Sequence, residues 1–134
     1  MRTAFLAAAS IAIAAAATAA LSIPAAAAQD EAEEWQRAIP VGEAVSCVPL
    51  RQIRNTEVHD DRTIDFHMTG GRTYRNTLPH DCGGLGFDEA FSYRTSLSQL
   101  CSTDIITVIR QPLNSIQGPS CGLGEFQPIE TAER

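Results

Sequence analysis

The strongest folding signal in this chain is the run Thr63-Ile-Asp-Phe-His-Met-Thr-Gly-Gly-Arg-Thr-Tyr-Arg-Asn-Thr-Leu78. Residues with high strand propensity alternate between polar and apolar on both sides of the glycine pair Gly70-Gly71. Glycine accepts the left-handed backbone conformation that tight hairpin turns need. The run therefore predicts a β-hairpin.

The alternation of the side chains selects the length of the hairpin loop. If the glycine pair alone formed the turn, Phe66 would face Arg75, and each face of the hairpin would mix polar and apolar residues. A three-residue loop instead places Phe66 opposite Tyr74 on one face and Asp65 opposite Arg75 on the other. Each such pair contributes about 0.2–1 kcal/mol. We predict the three-residue loop, with Gly71 in the left-handed position.

The rest of the chain continues this pattern of strands and turns. Short alternating or β-branched runs are separated by Gly, Pro, Asn and Asp, and no amphipathic stretch is long enough for a sizeable helix. Further strands are predicted at residues 53–58, 90–96, 104–110 and 122–129. We expect an all-β domain over residues 45–130, in which a small antiparallel meander of five or six strands closes into a barrel-like or strongly coiled sheet.

Residues 1–28 have the composition of an export signal. Arg2 precedes a long uncharged apolar run, and small residues lead to a predicted cleavage site between Ala28 and Gln29. The run is long enough for a membrane anchor, but it consists mainly of alanine, which contributes little transfer free energy. We therefore expect a cleaved signal, no stable membrane anchor, and a mature protein in the periplasm or secreted.

Residues 29–44 lie between this signal and the β domain. They are acidic and rich in Ala and Glu, and they contain the single tryptophan of the chain, Trp35. Such a composition buries little apolar surface. We expect an acidic, flexible N-terminal segment.

The charged residues limit the classes of partner and the kinds of reaction that can be expected. All ten basic residues are arginines, and sixteen Asp and Glu give a net charge of −6. An acidic surface repels nucleic acid and anionic lipid, so neither is an expected partner. The absence of lysine excludes Schiff-base chemistry on lysine and the lysine-dependent phosphate loop. We predict no cofactor.

Four cysteines, Cys47, Cys82, Cys101 and Cys121, remain in the domain. An even number in a small exported chain is typical of two disulfides. Zinc sites prefer closely spaced cysteine pairs, and this sequence has none. Three connectivities are open. We favour Cys82 with Cys101, which would close a hairpin-sized loop, and Cys47 with Cys121, which would join the two ends of the domain.

The candidate chemical residues are histidines next to aspartates. His59, His67 and Asp65 are the candidate metal ligands or acid–base groups, because a nearby carboxylate orients an imidazole and raises its basicity. Their positions in a turn and on a solvent-facing strand favour ordinary surface residues. The run Gly118-Pro-Ser-Cys-Gly122 matches the nucleophile elbow in its letters, but that motif requires a strand, a strained turn and a helix. We assign no catalytic residue.

Two short segments resemble each other within the chain. Asp81-Cys-Gly-Gly-Leu-Gly-Phe87 and Ser120-Cys-Gly-Leu-Gly-Glu-Phe126 carry a cysteine, glycines, a leucine and a phenylalanine in the same order. The simpler interpretation is two tight turns, with leucine and phenylalanine returning to the core. The alternative is a pair of loops that frame one binding cleft.

Several separated elements also resemble a known group of proteins. They are Tyr74-x-Asn76-x-Leu78, Cys82, Phe91-x-Tyr93, Leu100-Cys101-x-x-Asp104 and Cys121-Gly-Leu-Gly-x-Phe126. The sequence is similar, over roughly residues 47–129, to small exported proteins of Gram-negative bacteria that are classed as a domain of unknown function. The resemblance implies no activity, ligand or catalytic residue.

The functional expectation therefore rests on the residues themselves. We expect a non-catalytic binding or envelope-associated module with an envelope or secreted protein as a candidate partner. The alternatives are a small metal-binding protein or enzyme that uses His59, Asp65 and His67, and an inhibitor of a secreted protein.

Overall fold

The computed structural model describes residues 34–111 and 116–131. The predicted export signal and its cleavage site between Ala28 and Gln29 lie outside the described residues. Among the described residues, no helix has the length and apolar character needed to cross a membrane.

Short strands make up nearly half of the described chain. They are β1 (Ile39–Pro40), β2 (Cys47–Pro49), β3 (Ile53–Val58), β4 (Thr63–Met68), β5 (Thr73–Thr77), β6 (Phe91–Tyr93), β7 (Gln99–Cys101), β8 (Ile105–Ile109), β9 (Gln117–Gly122) and β10 (Phe126–Glu130). The helical elements are the one-turn helix α1 (Leu85–Asp88) and 3-10 turns at Trp35–Arg37 and Leu50–Gln52. The strands form a five-stranded sheet in the order β1-β10-β5-β4-β3, the pair β2-β7, and the three-stranded sheet β6-β8-β9.

The predicted hairpin is β4 and β5, and its register is confirmed. Phe66 lies opposite Tyr74, and Asp65 lies opposite Arg75, as the three-residue loop requires. Gly71 has a φ of +87°, so it occupies the predicted left-handed position. With β3 antiparallel to β4, the expected meander of three strands is present.

The other edge of the five-stranded sheet is built from both ends of the domain. Strand β10 is antiparallel to β5, with Phe126 opposite Asn76. Strand β1 pairs with the outer side of β10, with Ile39 opposite Glu130. The sheet therefore begins before residue 45, and part of the segment expected to be flexible is an edge strand. Sequence composition did not indicate this because the partner of β1 lies at the far end of the chain.

One hydrophobic core is shared by all three sheets. Phe66 of β4 is fully buried and makes edge-to-face contacts with Phe126 of β10 and Phe91 of β6. Val48 of β2 and Ile106 of β8 complete the same core. The predominance of strands over helices confirms the all-β class. Within the described residues none of the three sheets closes on itself, so the expected barrel is not confirmed.

All four cysteines form disulfides, but the pairing favoured from their spacing is wrong. The bonds are Cys47–Cys101 and Cys82–Cys121. Because β2 is antiparallel to β7, Cys47 lies directly opposite Cys101, and a register of this kind cannot be read from the spacing of cysteines. Two disulfides indicate an oxidising compartment outside the cytoplasm.

Candidate functional site

The five-stranded sheet has a second face that points away from the core, here called the outer face. Side chains alternate along β4, so that Phe66 enters the core while Asp65 and His67 lie on the outer face. Cross-strand pairing continues the row from His67 to Thr73 on β5 and to Ile129 on β10. Residues that are far apart in sequence therefore line one surface.

Asp65 is the centre of a largely buried polar cluster on this face. Its side chain is 6% exposed. Arg75 donates two hydrogen bonds of 2.8 Å to it, from Nε to Oδ1 and from Nη2 to Oδ2. His59 Nε2 lies 2.8 Å from Oδ2. The expectation that Asp65 is a solvent-facing residue is wrong, and the carboxylate is held by partners on both sides.

Trp35 covers this cluster and attaches the N-terminal segment to the sheet. Its ring stacks on the imidazole of His59, with centroids 4.6 Å apart and planes within 8°. The guanidinium carbon of Arg75 lies 5.3 Å from the centroid of the same ring. Arg75 Nη1 also donates a 2.7 Å hydrogen bond to the Trp35 carbonyl. We call the four residues Trp35, His59, Asp65 and Arg75 the Asp65 cluster.

The surroundings of Asp65 lower its pKa. Burial acts in the opposite direction, because it disfavours the charged carboxylate. The hydrogen bonds and charges of Arg75 and His59 outweigh burial, so the pKa of Asp65 lies below its ordinary value of 3.8. Asp65 is therefore ionised at neutral pH and serves as a fixed hydrogen-bond acceptor.

His67 belongs to a separate set of contacts. Its Nδ1 lies 3.0 Å from the Thr73 hydroxyl, and its Nε2 lies 3.3 Å from a carboxylate oxygen of Glu57. Of the three residues proposed as a metal site, His59 and Asp65 contact each other, whereas His67 contacts Thr73 and Glu57 instead. Among the described residues, no three His, Cys, Asp or Glu side chains are arranged to hold a metal ion.

Ser120, in the run that matches the nucleophile elbow, is an ordinary strand residue. It lies within β9 opposite Thr107 of β8, and the two hydroxyl oxygens are 2.9 Å apart. A nucleophile elbow places its serine on a strained turn between a strand and a helix. The surroundings of Ser120 are not of this kind.

An open groove of about 910 Å³ lies on the outer face beside the Asp65 cluster, and we call it the outer groove. Trp35 and His59 form an aromatic wall. His67, Thr73 and the buried Ile129 line its interior. The groove thus combines an aromatic surface and an apolar patch with a lining in which polar and charged residues predominate.

The outer groove is rich in negative charge. Four carboxylates line it, those of Glu34, Glu57, Asp65 and Glu130. No arginine of the described residues lines it, and the chain contains no lysine. The charge of Asp65 is offset by Arg75, and Glu57 lies 3.3 Å from His67 Nε2. Glu130 adds an exposed carboxylate, so the acidic residues of the lining give the groove a negative potential.

Sequence reasoning identified part of this site and missed the rest. The sequence indicates His59, Asp65 and His67 as candidates, but it places Trp35 in a flexible segment and gives no reason to expect Glu130 at a site. The single tryptophan in an acidic segment was an available signal, since an isolated large aromatic residue commonly has a packing partner. Glu130 gave no local signal, because its place at the groove depends on the pairing of β10 with β5.

No known protein family, curated protein or solved structure matches this chain.

Proposed function

We propose that this protein is a non-catalytic binding module of the periplasm or the extracellular space, and that the outer groove holds a positively charged ligand. The proposal includes removal of residues 1–28 on export. The two disulfides support a compartment of this kind.

The charge of the outer groove is the observation that carries the proposal. Carboxylates of Glu57 and Glu130 line this groove together with Trp35. A guanidinium or ammonium group can pair with the carboxylates and stack against an aromatic ring. Arg75 shows this arrangement within the protein itself, because its guanidinium contacts both the Trp35 ring and the Asp65 carboxylate.

The volume of the groove also suits a ligand of moderate size. Sites for small molecules are usually about 300–1,000 Å³, and the outer groove measures about 910 Å³. A short basic peptide is of this size.

The state of Asp65 supports a binding role over metal or acid–base chemistry. Both of its oxygens accept hydrogen bonds from Arg75, and His59 is held against the same carboxylate. A metal ion or a substrate proton at Asp65 would have to displace Arg75 and break these bonds. The cluster is suited to holding Trp35 at the wall of the groove.

The test is calorimetric titration of the protein that begins at Gln29, with both disulfides formed. The probe is a blocked tetrapeptide with two arginines, and the comparison is the same peptide with two glutamates. We expect binding of the arginine peptide alone. Glu130→Gln should weaken it about two- to fivefold, as expected for one exposed charge pair.

Glu125→Gln is the matched control, because Glu125 is exposed and does not line the outer groove. This variant should bind the arginine peptide as tightly as the unchanged protein. Failure of the arginine peptide to bind at millimolar concentration would contradict the proposal, as would an equal effect of the two substitutions.

A further inference from the structure

The two similar segments, residues 81–87 and 120–126, differ in which of their side chains the fold buries. Leu85 and Leu123 are both buried, and so is Phe126. The matching residue of the first segment, Phe87, is 89% exposed, the highest exposure among the large apolar side chains of the described residues. The expectation that both phenylalanines return to the core is therefore wrong, and the core does not require Phe87.

The backbone under Phe87 is held firmly. The amide of Gly86 donates a 2.8 Å hydrogen bond to Asp61 Oδ1. A Cβ atom added at Gly86 would lie 3.0 Å from the Asp60 backbone, so α1 packs closely on that turn. On the other side of Phe87, Asp88 is buried and accepts a 2.9 Å hydrogen bond from the Gln111 amide.

A disulfide fixes the base of the same loop. Cys82 is bonded to Cys121 of β9, and its amide donates a 2.7 Å hydrogen bond to the Asp61 carbonyl. An aromatic side chain on such a support loses little conformational entropy when it binds, because the backbone is ordered beforehand. Aromatic residues, phenylalanine among them, are enriched in protein–protein interfaces relative to the rest of the surface.

Acidic residues lie next to α1, the helix that carries Phe87. Asp60 and Asp61 form the turn on which α1 packs, Glu89 follows α1 and is exposed, and Asp81 is 79% exposed. The depression that Asp60, Asp61, Asp81 and Gly86 line also contains Arg62 and His59, so its acidic residues outnumber its basic ones. Phe87 therefore projects from a surface with an excess of negative charge.

We propose that Phe87 is the anchor of a docking surface for a second protein, and that the partner offers an apolar pocket whose rim carries lysine or arginine. The apolar pocket would bury the phenyl ring, and the basic rim would pair with Asp60, Asp81 and Glu89. Phe87 does not line the outer groove, although His59 lines both that groove and the depression beside α1. Its acidic surroundings disfavour insertion into an anionic membrane.

The first test is photo-crosslinking in the cells that make the protein. The photoreactive p-benzoylphenylalanine replaces Phe87 in one variant and Leu97, which is 63% exposed, in the matched control. We expect a discrete adduct with one other protein from position 87 and none from position 97. Mass spectrometry of the adduct should place the link beside apolar residues, with lysine or arginine near them.

The second test uses the purified partner identified in this way. Phe87→Ala should weaken binding at least tenfold, and Leu97→Ala should leave it unchanged. Glu89→Gln should weaken it a few-fold at low salt and less at high salt, since salt screens exposed charges. Equal far-ultraviolet circular dichroism and both disulfides intact show that each variant is folded.

Three results would overturn the proposal. They are the absence of a discrete adduct from position 87, an adduct with lipid or with a second copy of this chain, and partner binding that Phe87→Ala leaves unchanged. None of these outcomes depends on the ligand of the outer groove.

Discussion

Replacement of Asp65 by asparagine is expected to destabilise the protein by about 2–4 kcal/mol. The side chains of Asp65 and Arg75 are 6% and 14% exposed, so the guanidinium would lose its charged partner in a place that water reaches poorly. Asparagine keeps the shape and one acceptor oxygen, which is why we expect less than the full cost of an unpaired buried charge. His59 would lose the same carboxylate.

The matched control is Asp81→Asn. Asp81 is 79% exposed, and the distance from its carboxylate to Arg62 Nε is 3.7 Å. Exposed ion pairs contribute little, so this variant should lose less than about 0.5 kcal/mol. The comparison separates the loss of a buried charge from the loss of any negative charge.

Urea unfolding provides the assay, followed by circular dichroism for the sheets and by fluorescence for Trp35. Trp35 is the single tryptophan of the chain, so its emission reports on the Asp65 cluster alone. In Asp65→Asn the Trp35 emission should shift toward that of a solvated indole at a lower urea concentration than the one at which the circular dichroism signal changes. In the unchanged protein the two signals should change together.

The effect should also depend on pH in a defined direction. The pKa of Asp65 is lowered on folding, so its contribution to stability is complete above the unfolded value, near 3.8, and is lost as the pH falls through the folded value. The difference in stability between the unchanged protein and Asp65→Asn should be full at pH 7 and should shrink below about pH 4. Equal stability of the two proteins at pH 7, or a difference that is the same at pH 7 and pH 3, would refute this account of the Asp65 cluster.

Three further predictions concern the turns, the disulfides and the groove. Gly124→Ala should lower stability by about 1–3 kcal/mol, because the added methyl group would collide with the Thr77 carbonyl oxygen. Gly83→Ala, where the methyl group meets no atom within 4 Å, should melt within about 1–2 °C of the unchanged protein, and equal melting of the two variants would contradict the packing described. Replacing Cys82 and Cys121 together by alanine should cost about 4 kcal/mol in urea unfolding, since the bond closes a separation of 39 residues; a loss below about 1 kcal/mol would show that the bond constrains little. Binding of the arginine peptide should weaken as the sodium chloride concentration rises from about 0.05 to 0.5 M. An affinity, measured by calorimetry, that does not change with salt concentration would contradict binding by charge in the outer groove.

The parts of the fold that could be predicted are those encoded by neighbouring residues. The register of β4 and β5 followed from the alternation around Gly70-Gly71, because a shift by one residue would have moved Phe66 out of the core. The left-handed conformation of Gly71 followed from the same loop.

The parts that could not be predicted depend on contacts between distant residues. The pairing of β1 with β10 and of β2 with β7 joins segments about 90 and 50 residues apart, and no local pattern encodes such partners. The disulfide pairing was wrong for this reason, since Cys47 reaches Cys101 through the register of β2 with β7.

In the candidate site, too, the features set by neighbouring residues could be predicted and those set by distant contacts could not. Asp65 and His67 were correctly placed on one face by the alternation along β4. Asp65 was expected in solvent, but Trp35 from a segment 30 residues earlier covers it. The outer groove could not be predicted, because its lining combines β4 and β5 with Ile129 and Glu130 of β10.

The measurement that tests the proposed binding function most directly is a nuclear magnetic resonance titration of the ¹⁵N-labelled protein with the two-arginine peptide. Binding in the outer groove should shift the amide signals of residues 57–59, 67–73 and 129–131, together with the Trp35 indole signal. The signals of β6, β8 and β9 should stay in place, because that sheet does not line the groove. Shifts concentrated on β6, β8 and β9, or no shifts at millimolar peptide, would contradict the assignment of the groove as the ligand site.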